Sequence, residues 1–227
     1  LNDWEVDVIE GIDGIEQKKI YNQSRWLSNS AKENWNQGAI GSALSHMLSW
    51  RKCLQLGKPI VIAEDDAILA KEMKHNLNTI FAGRSDIPPF LLLGWNLDSL
   101  LQAELEQGLG LISLFEPAYP KEEELKQLVN SKTKRCLCKL KRCFGLPAYR
   151  ITPETAQYLL RQVNPLISET ITMGRGIPTH FSETLDGVLN NQYEKIGAEI
   201  MFPPLALALN NQKESLTRKK SLVHFQD

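Results

Sequence analysis

The chain has 227 residues, 42% of them hydrophobic and 23% charged, the balance of a globular protein and not of a disordered one. A single domain of this length buries roughly 70–75% of the surface its unfolded chain exposes, so one domain over 1–227 is the economical expectation. Twenty-six Lys and Arg against 27 Asp and Glu leave a net charge of −1, which argues against a nucleic-acid binder with a wholly basic surface.

The start, Leu1-Asn2-Asp3-Trp4-Glu5, has neither an initiator Met nor the basic and apolar regions of a signal peptide, and reads as lacking the native N-terminus. Alternation at Val6 and Val8 predicts a short strand, and Gly11-Ile12-Asp13-Gly14 suits a turn. Polar residues dominate 17–37, read as a long loop anchored by Trp26 and Trp35. Leu44, Met47, Leu48, Cys53 and Leu54 then recur at helical spacing, with Ser42 as cap and Gly57 and Pro59 as the stop. Ile60 to Ala63 reads as a short buried strand with Glu64, Asp65 and Asp66 at its C-terminal end. Phe90 to Leu93 is a second apolar run. Residues 98–145 carry the acidic run Glu122-Glu123-Glu124 and six cations (Lys132, Lys134, Arg135, Lys139, Lys141, Arg142), and assign themselves to no element. A strand is predicted over 148–151, then a helix with Thr152 as N-cap and Pro153 at its first position. Ser182 is read as the cap of a helix carrying Leu185, Val188 and Leu189, and 200–202, stopped by Pro203-Pro204, as a last strand. Strands alternating with helices predict an α/β domain with a central, mostly parallel sheet flanked by helices.

No apolar run exceeds five residues (205–209), too few for a membrane-spanning helix. The four cysteines, Cys53, Cys136, Cys138 and Cys143, lack the paired spacing of a zinc site. Reduced thiols and a cytoplasmic setting are expected.

The acid triplet carries the chemistry. In an extended segment Glu64 and Asp66 face one side and Asp65 the other. Like charges at the mouth of a buried strand repel, a penalty that a hard divalent cation such as Mg²⁺ or Mn²⁺ removes while keeping positions open for phosphate oxygens. In open α/β sheets ligands bind beyond the C-terminal ends of strands, where these acids fall. A solvated acidic turn is the plain alternative.

The segment Gly38-Ala39-Ile40-Gly41-Ser42-Ala43-Leu44-Ser45-His46, with Trp50 and then an apolar strand ending in Glu64-Asp65-Asp66, closely resembles the signature of family 25 glycosyltransferases, which include bacterial lipooligosaccharide galactosyltransferases and collagen galactosyltransferases. Ser42 stands where the pattern has cysteine. Gly11 to Gly14, Phe144 to Tyr149 and Thr184-Leu185-Asp186 are similar to further elements of that pattern, in order along the chain. Two features depart from it: the family's first strand has no counterpart before Trp4, and the pattern does not supply the basic segment 132–143.

The resemblance implies a GT-A-like fold and inverting, metal-dependent transfer of a hexose, commonly galactose, from a UDP-sugar to a glycan or protein-linked hydroxyl, as in lipopolysaccharide or lipooligosaccharide synthesis. Glu64, Asp65 and Asp66 would be the metal motif for Mn²⁺ or Mg²⁺, and Asp186 the base that takes the acceptor proton, with Glu183 a weaker competitor. Asp13, Gly38, Gly41, Ser45 and His46 would lie toward the donor, the alternatives being that Asp13 only closes its turn, the glycines serve backbone conformation, Ser45 caps the helix and His46 fixes the metal loop. Trp95 and Asn96, just past the second apolar run, sit where a crevice residue stacks on a ring or bonds a hydroxyl, although tryptophan equally serves as core. His180 is a candidate to complete the metal shell or an ordinary loop histidine. The run 132–142, with Arg218-Lys219-Lys220, motivates peripheral contact with an anionic membrane surface. No nucleic-acid partner is expected. The missing first strand motivates an alternative, a catalytically silent relative that binds glycan or a partner protein. A metal-dependent phosphoryl-transfer or nuclease fold is a third reading of the same acids.

Overall fold

The structure is a computed structural model describing residues 4–19, 25–114, 118–174 and 176–209. After the turn at 14–17, α1 (Asn29–Asn34) is capped by Ser28, whose hydroxyl accepts from the Ala31 N–H, and ends at the buried Trp35. The next helix, α2 (Gln37–Leu56), starts well before Ser42, because the Asn36 side chain accepts from the Ala39 N–H and supplies the cap. Gly57 stops it in the left-handed region, φ 60°, donating to the Cys53 and Leu54 carbonyls.

Further along come β1 (Ile60–Ala63), β2 (Ala67–Leu69), α3 (Met73–Phe81), β3 (Phe90–Leu92), β4 (Leu100–Glu106), β5 (Leu109–Leu114), α4 (Glu122–Val129), β6 (Cys136–Cys143) and β7 (Ala148–Ile151). The chain continues through α5 (Pro153–Gln162), β8 (Thr170–Ile171), β9 (His180–Phe181), α6 (Leu185–Leu189), β10 (Glu199–Phe202) and β11 (Ala206–Ala208). Thr152 caps α5 and Pro153 opens it, as the sequence predicts. The cap of α6 is Thr184, accepting from the Gly187 N–H. Ser182 is occupied elsewhere: its hydroxyl accepts from the Glu169 N–H at 2.7 Å. Val6 and Val8 form no strand, and at 61% and 87% exposure they bury too little to make one.

Seven strands form one sheet in the order β1-β7-β3-β10-β6-β4-β5, with small two-stranded sheets β2–β11 and β8–β9 beside it. The α/β class holds, but the expectation of a mostly parallel sheet does not: within the large sheet only β3 and β10 pair in parallel, and the other five pairings are antiparallel. A parallel pair needs a long crossover. Here β4 turns straight into β5 through Gln107 and Gly108, the latter at φ 82°, and β6 reaches β7 over the short link 144–147.

Period-two alternation sends neighbouring residues to opposite faces of the sheet. Phe90, Leu92, Tyr149, Ile151 and Ile200 join Leu44, Met47 and Trp50 of α2, Leu159 of α5 and Val188 of α6 in one core. Leu91, Leu93, Ala148 and Met201 join Met73 and Leu77 of α3 and Leu125 and Val129 of α4 in the other. Helices therefore cover both faces, and β3 is apolar throughout because it is buried on both.

Most cations of the basic segment find partners within the fold, although among the described residues only two carboxylates face them. Lys139 and Lys141 on β6 pair with Glu104 of β4 at 3.3 and 2.9 Å, and their hydrogen bonds, Lys141 first, hold the Glu104 carboxyl below its ordinary range. Arg142 meets Glu194 at 2.7 Å, and Arg135 donates to the Val129 carbonyl and Asn76. Four of the six cations counted toward an anionic surface are thus engaged, and Arg218-Lys219-Lys220 lies outside the described residues. Among the described residues no helix is long and apolar enough to cross a membrane.

Gly94 follows β3 where Leu205 and Ala206 donate to the Leu93 carbonyl at 2.7 and 3.1 Å. A Cβ on Gly94 would lie 1.7 Å from the Ala206 carbonyl oxygen, whereas one on Gly83 meets nothing within 4 Å. Gly94→Ala is expected to cost roughly 1–3 kcal/mol or more of stability, and Gly83→Ala to stay within about 0.5 kcal/mol; urea unfolding of both variants checks the contrast.

Candidate active site

Beyond Ala63 the Glu64 N–H still donates to the Pro147 carbonyl at 2.9 Å, and the Ala67 N–H then turns back to the Glu64 carbonyl at 3.2 Å. Glu64, Asp65 and Asp66 therefore form a tight turn between β1 and β2. The alternation of sides expected for an extended segment ends at Glu64. All three line a cleft of about 2440 Å³. Asp66 still meets solvent, yet lost hydration in the cleft raises its carboxyl above the ordinary range, and the charges of Glu64 and then Asp65 push it the same way.

A second wall is the Gly11–Ile15 loop lying on the start of α2. Asp13 Oδ1 accepts from the Ile15 and Glu16 N–H groups at 2.7 and 3.0 Å, which closes the turn. The Ser45 hydroxyl accepts from the Ile12 N–H and donates to the Gly41 carbonyl, both at 2.8 Å, stitching loop to helix. The contact is backbone against backbone. A Cβ on Gly14 would stand 1.8 Å from the Gln37 carbonyl oxygen, and one on Gly41 would stand 2.4 Å from that of Ile12. Gly41 is thus required by close approach and lies beneath the loop, outside the cleft lining, whereas Gly38 in the first turn of α2 lines the cleft.

The third wall joins the 144–147 link to α6. Asp186 Oδ2 accepts from the Gly145 N–H at 2.6 Å and Oδ1 from the Gly187 N–H at 2.9 Å. Four residues on, the buried Asn190 accepts from the Cys143 N–H at 2.7 Å and donates to the Cys143 carbonyl at 2.9 Å. One short helix therefore clamps the end of β6 and the start of the link. Asn96 donates from its backbone to the Phe144 carbonyl at 2.9 Å, and Gly145, at φ 88°, leaves no room for a Cβ against the Asn96 side chain.

Behind the acid turn runs a chain of buried polar groups. The Trp50 indole donates to the Tyr149 phenol oxygen at 2.8 Å, that oxygen is 2.9 Å from His46 Nδ1, and His46 Nε2 is 3.2 Å from Glu64 Oε1. Burial pushes the Tyr149 hydroxyl well above its ordinary pKa, so it stays protonated. Tyr149 lies opposite Ile62 across the β1–β7 pairing, and His46 is in the third turn of α2.

Of the expected site residues, the cleft gathers Asp13, Gly38, Ser45, His46, Glu64, Asp65, Asp66, Asn96 and Asp186. It does not gather Trp95, which is 1% exposed and stacked on Phe202 at 5.8 Å in the protein interior; no face of its ring is open to a ligand. Glu183 and His180, the latter exposed on β9, also lie off the cleft lining. Sequence reasoning passes over Tyr149, Trp50 and Asn190 as site residues. Their partners are 103, 99 and 47 positions away; Trp50 and Tyr149 fall inside the motif elements quoted from the sequence, but nothing local gives them a role there.

Among the described residues no three His, Cys, Asp or Glu side chains gather into a ready metal cage. The donor set instead fits a cation held by one or two carboxylates and completed by phosphate oxygens. The acid turn is the geometry in favour: in the cleft Asp66 loses hydration and meets the charges of Glu64 and Asp65, and a cation offsets both.

Residues 2–173 match the family model described as glycosyltransferase family 25 (LPS biosynthesis protein). That stretch contains the loop, α2 and the acid turn, while Asp186 lies beyond it. No curated protein matches the chain.

Ser45→Ala removes the acceptor of the Ile12 N–H. A loss of about 1 kcal/mol is expected, with faster hydrogen exchange at the Ile12 amide and little change in the core amides of β3, read by exchange monitored with NMR.

Proposed function

The chain belongs to glycosyltransferase family 25, and from that membership and the cleft we propose that it transfers a hexose, galactose first among the candidates, from a UDP-sugar to a hydroxyl of a lipopolysaccharide-type glycan with inversion. The sheet covered by helices on both faces is read as a GT-A-like arrangement. The observation that carries the proposal is the acid turn: three carboxylates at the C-terminal end of β1, inside a large cleft, with the Asp66 charge penalised by its surroundings.

One or two carboxylates of the set Glu64, Asp65 and Asp66 would hold a divalent cation, which when bound neutralises charge developing on the departing diphosphate. The residues of the chain do the rest. The Gly11–Ile15 loop, fixed by Ser45 and by the turn at Asp13, supplies a rigid backbone surface for the donor. Ser45 acts through that loop, since its one proton is given to the Gly41 carbonyl. Asp186 is held from both sides by backbone N–H groups, and each oxygen keeps a lone pair, which supports reading it as the base that would take the proton of the attacking hydroxyl. Asn96 and Gly145 sit beside it and would face the acceptor.

Release of UDP from UDP-galactose, UDP-glucose and other nucleotide sugars with added Mn²⁺ tests the reading. Asp66→Ala is expected to lower turnover by roughly 100-fold or more with an unchanged circular dichroism spectrum. Asp186→Asn is expected to lower the rate by about 100-fold or more while sparing UDP binding measured by calorimetry. Equal loss of both would remove Asp186 as the base, and absence of nucleotide binding in the unaltered protein would remove the enzyme reading.

A further inference from the structure

Proton counting gives the buried chain behind the acid turn a single direction. An indole has an N–H and no acceptor, so in the 2.8 Å contact with Trp50 the Tyr149 oxygen accepts. Tyr149 is fully buried, and its hydrogen bonds among the described residues are this one and the 2.9 Å contact with His46 Nδ1. Its hydroxyl proton therefore has one acceptor in reach, a bare Nδ1. The imidazole proton then sits on Nε2, 3.2 Å from Glu64 Oε1, and donates to that carboxylate.

The other tautomer fails on the same count. With the proton on Nδ1, the phenol oxygen meets two donors, its own proton is stranded in the core, where an unmade hydrogen bond is expensive, and a bare Nε2 faces the carboxylate.

We infer that Tyr149, backed by Trp50, is a positioning residue that holds His46 as the Nε2–H tautomer and so fixes the first carboxylate of the acid turn. β7 and the residues before it thus hold Glu64 twice: at its backbone through Pro147 and at its side chain through Tyr149 and His46. Glu64 is one-third exposed and His46 nearly enclosed, and the bond takes one of the carboxylate's lone pairs, leaving the others for a ligand. The consequence for turnover rests on the reading of the acid turn given above; the direction of the chain does not.

The test has two arms, both on the full chain. Long-range ¹H–¹⁵N NMR of histidine-labelled protein at neutral pH is expected to show His46 as the Nε2–H tautomer; an Nδ1–H or doubly protonated ring overturns the inference. This arm needs no activity, so it decides the inference even if no sugar transfer is found. The second arm separates positioning from packing. Glutamine at 46 reaches with an amide N–H to where Nε2 stands and leaves nothing at the Nδ1 position. Tyr149→Phe is expected to lower kcat by about tenfold with His46 present and to change it by less than about twofold in the His46→Gln background. Its cost in thermal stability is expected to be smaller in the His46→Gln background, where the phenol proton has already lost its acceptor. His46→Asn, which mimics the Nδ1 side, is expected to be slower than His46→Gln. An equal loss of kcat from Tyr149→Phe in both backgrounds would make Tyr149 a packing residue and overturn its positioning role.

Discussion

Polar groups taken out of water must find partners, and in this protein that requirement links the core to the cleft. The indole of Trp50, the phenol of Tyr149 and the imidazole of His46 all lie between α2 and the sheet, with no solvent to fall back on. They satisfy one another in series, and the series ends at the surface on Glu64. A helix, a strand and a turn are thereby locked in mutual register by hydrogen bonds whose geometry is far less tolerant than apolar packing. If α2 slid or rotated on the sheet, all of these bonds would be lost together.

The other two walls of the cleft are built by different means. At the Gly11–Ile15 loop the determining contact is steric: Gly14 and Gly41 have no side chains, and the loop carbonyl and amide groups come within touching distance of the helix backbone. At α6 it is a clamp, in which Asp186 and Asn190, one helical turn apart, seize the residues that join β6 to β7. Hydrogen-bond relay, glycine contact and helix clamp all act on segments flanking β1 and β7. This is why residues as distant in sequence as Asp13, Glu64, Asn96 and Asp186 share one space.

The sequence made the local elements plain and the long-range ones obscure. Ile60 to Ala63, Phe90 to Leu92 and the Thr152-Pro153 helix start follow from apolar runs and capping chemistry that neighbouring residues settle between themselves. The start of α2 was harder to read, because Ser42 and Asn36 are both good caps and the choice falls to the loop that packs over the first turns. β6 hides as a strand because Lys139, Lys141 and Arg142 interrupt its apolar residues; the charges are accommodated by Glu104 and Glu194, on other segments. Strand direction escapes local reading for a related reason: alternating helices and strands suggest crossovers, and nothing local distinguishes a crossover from the β4–β5 hairpin until Gly108 is recognised as its turn. In the cleft the acid turn, His46 and the glycines were legible as a motif. Trp95 was not, since only the packing of Phe202 against it reveals that it faces inward.

The seam between Gly14 and Gly41 also bears on how this scaffold can be remade. Neither position admits even a methyl group without prising the loop from the helix, so that wall has almost no room for variation and its shape is inherited whole. Asn96 and Thr184, by contrast, reach the same space on side chains that are only half-buried. Diversity libraries seeking a new acceptor belong on that flank, with the glycine seam left untouched as the fixed jaw of the tool.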